Sequence, residues 1–156
     1  MRNSILPVCF LLLLTSACSN EAPEPAAVAV ADPEPAGLAR TASVPGARVF
    51  FISPVDGATV SNPVKVVFGI EGMEVVAAGN DTPHSGHHHL LIDTGLPNLG
   101  LPIPKDSRHV HFGDGSTETE ITLEPGRHSL QMLLGDHLHV PHEPPILSDP
   151  ITILVE

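Results

Sequence analysis

Proline and glycine punctuate this sequence so densely beyond residue 46 that a long helix cannot form there. Between Ala47 and Glu156 the longest stretch free of both runs only from Ser116 to Glu124, shorter than the three turns of an ordinary helix. The apolar residues within these short stretches follow a period of two, not 3.6. Val49 to Ile52 is β-branched and aromatic, and Val64, Val66, Phe68 and Ile70 share one face of an extended segment. His87–Asp93, His109–Phe112, Thr117–Leu123, His128–Leu134 and Ile151–Val155 continue the series. Asp56-Gly57, Asn62-Pro63, Asp114-Gly115 and Pro125-Gly126 supply turns between them. Seven short strands in a segment near the ~100 residues of a two-sheet domain predict an all-β, immunoglobulin-like sandwich over 47–156. A small jelly roll is the alternative topology. With no Trp and no Tyr, its core must be mostly aliphatic.

The N-terminal part has another character. Met1-Arg2-Asn3 is a short basic start, Ile5 to Leu14 is apolar, and Thr15-Ser16-Ala17 stands before Cys18. This order describes a secretory signal over 1–17, whose apolar run is too short to span a bilayer. Small residues followed directly by cysteine resemble the lipobox read by bacterial signal peptidase II, which implies cleavage before Cys18 and lipidation of its thiol. The alternative is an ordinary signal peptide with an incidental cysteine. Ser19 in place of Asp resembles the pattern that lets such lipoproteins move on to the outer membrane. Residues 18–46 are rich in Pro, Ala and Glu, a composition that builds no core and favours extended polyproline II. Such a linker reaches on the order of 80 Å at ~3.1 Å per residue. The expectation is a periplasm-facing lipoprotein of the cell envelope, with the lipid bilayer as its partner through Cys18.

Charge and cysteine usage narrow the chemistry. Seven Lys and Arg stand against 18 Asp and Glu, a formal charge of −11, and loss of Arg2 with the leader makes it more negative still. No basic cluster exists, so nucleic acid and anionic headgroups are poor partners and cations are better ones. Cys9 lies in the leader and Cys18 is the lipid attachment point, so no disulfide forms and no thiol is left for catalysis. No G-x-S-x-G elbow is present. Asp114-Gly115-Ser116 reads as a hairpin turn and not as a calcium loop, whose later acidic ligands are missing. No catalytic residue is assigned.

What remains to be explained is ten histidines. His84 with His87-His88-His89, His109 with His111, and His137 with His139 and His142 form short blocks, and His128 stands alone. By strand alternation His88, Leu90 and Ile92 face the core, while His87, His89, Leu91 and Asp93 share the other face. His87 and His89 are then about 6–7 Å apart at Cα, a spacing from which two imidazoles converge on one ion. In His109-Val110-His111-Phe112 the apolar pair points inward and both histidines outward. His128 shares a face with Leu130, Met132 and Leu134 and reads as a core-edge residue. Pro141 favours an extended path before it, and a polyproline II repeat of three places His139 and His142 on one side. Asp93 and Asp136 are candidate carboxylate ligands or ring-orienting partners. The predicted metal ligands are therefore His87, His89, His109, His111, His139 and His142. Imidazole without thiolate suits Zn(II), Cu(II) or Ni(II), with Cu(II) favoured on intrinsic affinity, and copper or zinc is the expected ion.

Three blocks, VFFISPVDGATVSNPVKVVFGIEGM, GHHHLLID and HVHFGDGSTETEITLEPGRHSLQMLLGDHLHVPHEPPILSDPITI, resemble in order the bacterial domain-of-unknown-function family 4399 (DUF4399). The resemblance implies one natural domain whose pattern includes His87, His88, His89, His109, His111, His128, His139 and His142, with His84 and His137 peripheral. It implies no activity. SPVDGATVSNPVKVVF also resembles the opening of periplasmic copper carriers of the copper-resistance C type, which implies the fold alone. Two other functions compete with metal binding. One is an envelope structural or interaction module with structural histidines and an unidentified envelope protein partner. The other is a metal-dependent hydrolase needing a water-activating carboxylate.

Overall fold

The computed structural model describes residues 37–156. The expected signal peptide, the expected lipidation at Cys18 and most of the expected linker lie outside the described residues. Nine strands and no helix are present among them: β1 (Arg48–Ser53), β2 (Thr59–Val60), β3 (Val64–Glu71), β4 (Glu74–Val75), β5 (Ser85–Ile92), β6 (His109–His111), β7 (Glu118–Ile121), β8 (Gly126–Gly135) and β9 (Ile151–Val155). The seven strands expected from the alternation are all present, and β2 and β4 are additional two-residue pieces.

The strands divide into two sheets. One has the order β1-β3-β7 and the other β2-β9-β8-β5-β4, with β6 also paired to β5. Inward-facing residues of both sheets meet in one core. Val64, Val66 and Phe68 of β3 meet Leu90 of β5, Leu130, Met132 and Leu134 of β8, and Ile151, Ile153 and Val155 of β9. Burying each such side chain stabilises by roughly 1.5–3 kcal/mol, so the two-sheet arrangement follows from alternation. As composition requires, the core is aliphatic apart from Phe68 and Phe112, whose rings lie 4.8 Å apart.

The outer face of the larger sheet departs from the usual solvated pattern. Every residue of β5 is buried, and β8 is buried on both faces from Met132 to Gly135. Segment 98–104 and the turn 136–140 roof this face, while 141–148 runs back beside β8, with Leu147 on this face and Ile146 in the sandwich core. Leu91, Ile103 and Leu133 form a second small apolar cluster there, with Leu99 and Leu147 packed against it. The histidines of β5 therefore stand between two cores.

Candidate metal centre

Alternation along β5 sends His88 into the sandwich, where its ring centroid lies 5.2 Å from that of Phe68. It sends His87 and His89 to the opposite face, and their centroids are 4.8 Å apart. β6 pairs antiparallel with β5 so that His111 stands directly across from His89. Cross-strand neighbours in this position have Cβ atoms about 4.5–5.5 Å apart, and the two rings lie 5.0 Å from each other. His139 comes from the roof, its ring 4.9 Å from His87 and 4.7 Å from His111. It is further from His89, at 6.1 Å.

His87, His89 and His111 each present a ring nitrogen such that the three lie within 4.8 Å of one another. The centre of a triangle of that size is at most about 2.8 Å from its corners. Ring shifts of roughly 0.7 Å or less would then reach the ~2.0–2.1 Å of a Zn–N bond. The electrostatics point the same way. His87 is 0 % exposed and His89 1 %, yet neither ring nitrogen of either residue has a hydrogen-bond partner, nor does Nε2 of His111. Buried polar atoms are nearly always paired, and each one left alone costs about 1–3 kcal/mol. Several unpaired nitrogens converging on one point suit an electron-pair acceptor.

Burial, followed by the neighbouring His139 and His111, lowers the pKa of His87 to about 4. Burial also lowers His89, to about 2, with His87, His111 and His139 as further causes. His111 is lowered as well, again chiefly by burial. These rings are neutral at physiological pH, the protonation state that a metal ligand requires.

The other candidate residues lie elsewhere. His109 is two positions along β6, opposite Leu91, and its Nδ1 is 2.9 Å from Asp106 Oδ1. His142 does not share a side with His139, because the expected polyproline II path does not form. His139 has a φ of 67°, and the carbonyl oxygen of Asp136 accepts its N–H. The Asp136 carboxylate also accepts the N–H groups of Leu138 and Val140, both at 2.9 Å. That turn aims His139 at the cluster and leaves His142 facing β5, where its Nε2 is 3.2 Å from the Ser85 carbonyl oxygen. Asp136 thus shapes the roof. Asp93 serves His128, at 2.6 Å, and the N–H of Ser129. His128 is the core-edge residue expected from its face, with its ring mostly covered.

Two glycines that the sequence reading passed over make room for the rings. A Cβ on Gly113 would lie 2.3 Å from Cε1 of His111, and one on Gly135 would lie 2.8 Å from Cε1 of His89. Their proximity to histidine in sequence, as in His111-Phe112-Gly113, was the available signal.

Residues 66–156 match the model of a family described as a domain of unknown function (DUF4399). No curated protein and no solved structure matches the chain.

Proposed function

The chain belongs to the domain-of-unknown-function family DUF4399, and since membership names no activity, we propose a function from the histidines themselves. The protein is a transition-metal-binding domain of the cell envelope. It takes up copper or zinc through His87, His89 and His111, with His139 as the fourth imidazole. The observation that carries this reading is the set of buried imidazole nitrogens, unpaired and within 4.8 Å of one another. An all-nitrogen set without thiolate favours Cu(II) over Zn(II) on intrinsic affinity. The site holds the ion for sequestration or delivery. The lipobox-like run before Cys18 supports attachment through lipid on that residue, and Ser19 after it supports transfer to the outer membrane, facing the periplasm.

The test is a titration of the chain with Cu(II) and Zn(II), followed by elemental analysis at pH 7.5 and 5.5. Uptake of one ion per chain is expected. It should persist at pH 5.5, because burial holds His87 and His89 neutral well below the ordinary value of about 6.5. Substoichiometric uptake at pH 7.5, or uptake unchanged by His89→Ala, refutes the proposal.

A further inference from the structure

The chain enters the domain along a strap, residues 38–43, that composition assigns to the linker. The anchors of this strap fall on segment 98–104, on Asp136 of the turn that carries His139, and on residues 141–143 that follow it. The N–H of Leu38 donates to the Gly100 carbonyl at 2.8 Å. Ala42 bridges Glu143 in parallel, with the Ser43 N–H donating to the Glu143 carbonyl at 3.1 Å and the Glu143 N–H to that of Thr41 at 2.9 Å. Arg40 donates from Nε to the Pro141 carbonyl at 2.9 Å, also reaches the His142 carbonyl, and pairs with the Glu143 carboxylate. The Thr41 hydroxyl donates at 2.8 Å to Oδ2 of Asp136, a residue 2 % exposed.

Asp136 is the residue whose other carboxylate oxygen and backbone form the turn that aims His139. The second roof segment reaches the same place, since the Ile103 N–H donates at 2.8 Å to the His139 carbonyl. The strap thus braces both segments that wall the His139 side of the cluster. Leu38, Ala39, Thr41 and Ala42 are themselves exposed. A segment held by a few hydrogen bonds, with little apolar burial of its own, opens far more readily than the core.

We propose that Arg40 and Thr41 are positioning residues for His139, and that docking of the strap is coupled to occupation of the metal site. The proposal rests on the metal-binding reading above. A docked strap holds His139 against the cluster as the fourth imidazole. A released strap takes the hydroxyl from Asp136 Oδ2 and loosens the turn, leaving the three imidazoles of β5 and β6. Linkage is reciprocal, so an ion that binds better with His139 in place must favour the docked strap by the same factor.

Thr41→Val and Thr41→Ser in the full chain test this in two ways. In metal-free protein, Thr41→Val should shift the NMR ring signals of His139 and leave those of His88 in place, with Thr41→Ser restoring them. Unchanged His139 signals overturn the clamp whether or not metal binds. With Cu(II) as probe, Thr41→Val should weaken affinity about tenfold, a typical coupling factor, and Thr41→Ser should recover it. Cu(II) should also slow tryptic cleavage after Arg40 in the wild type by a similar factor, and not in Thr41→Val. Equal affinity in wild type and Thr41→Val, or a cleavage rate indifferent to Cu(II), overturns the coupling. A wild type that takes up no Cu(II) refutes the metal reading and the coupling together. The metal-free ring signals then decide the positioning role alone.

Discussion

His88→Leu separates the structural histidine of β5 from its two neighbours. His88 is 0 % exposed, packs on Phe68 and has both ring nitrogens unpaired. Burial lowers its pKa to about 4 from 6.5. Since the depressed value belongs to the folded state, the unfolded chain binds the extra proton between about pH 6.5 and 4, and stability rises with pH through that window. At 1.36 kcal/mol per unit, the full shift corresponds to roughly 3 kcal/mol, and the part lost between pH 7.5 and 5.0 is about 2 kcal/mol. Leu is of similar size and cannot titrate, and it removes two unpaired buried nitrogens. The variant should therefore equal or exceed the wild type in stability at pH 7.5. The gap should widen in its favour by about 2 kcal/mol at pH 5.0. Without Trp or Tyr, the assay is urea unfolding followed by far-UV circular dichroism. At a slope of ~1–2 kcal/mol/M, the midpoints should separate by roughly a further 1–2 M on acidification. The other histidines are common to both proteins and cancel in the difference. Midpoints that fall in parallel would show that His88 titrates as an exposed residue and would refute its placement in the core. Metal uptake should be the same in both.

Other outcomes follow from single contacts. Gly113→Ala and Gly135→Ala place a methyl within 2.3 Å of His111 and 2.8 Å of His89 respectively, so both should weaken Cu(II) affinity about tenfold or more by displacing a ligand, as read by competition titration. His142→Ala should leave that affinity within about twofold while lowering stability by about 1–3 kcal/mol, since a fully buried ring and its contact to the Ser85 carbonyl are lost. His139→Ala should do the reverse, and equal effects from the two would contradict the turn at Asp136. The hydrogen bond to Asp93 raises the His128 pKa above its ordinary value. That stabilisation is complete below pH 6.5 and is lost as pH rises through the raised value. Asp93→Asn should bring the His128 titration, followed by NMR, back down.

Alternation carried most of the fold. Parity along Val64–Ile70 and His128–Leu134 determines which side chains enter the sandwich, because successive residues of any strand point to opposite faces. The same rule placed His88 in the core and His87 and His89 together on the other face, before any strand was paired. Parity does not say what covers a face. The burial of His87 and His89, and with it their depressed pKa values, comes with the covering of that face by segment 98–104 and the turn 136–140, which are irregular and have no period to read.

The sequence by itself determined the strands, the aliphatic core and the pairing of His87 with His89 on one side, since each depends on residues next to one another along the chain. Tertiary structure alone decided the membership of the cluster. His111 enters and His109 does not because β6 registers against β5 with His111 opposite His89, a choice between positions of equal parity. His139 enters and His142 does not because Asp136 closes a turn with a left-handed residue at its end. Thr41, 95 residues away, holds that turn from the outside. Register, turn handedness and the docking of a distant strap are set by contacts between residues far apart in the chain, and no local pattern encodes them.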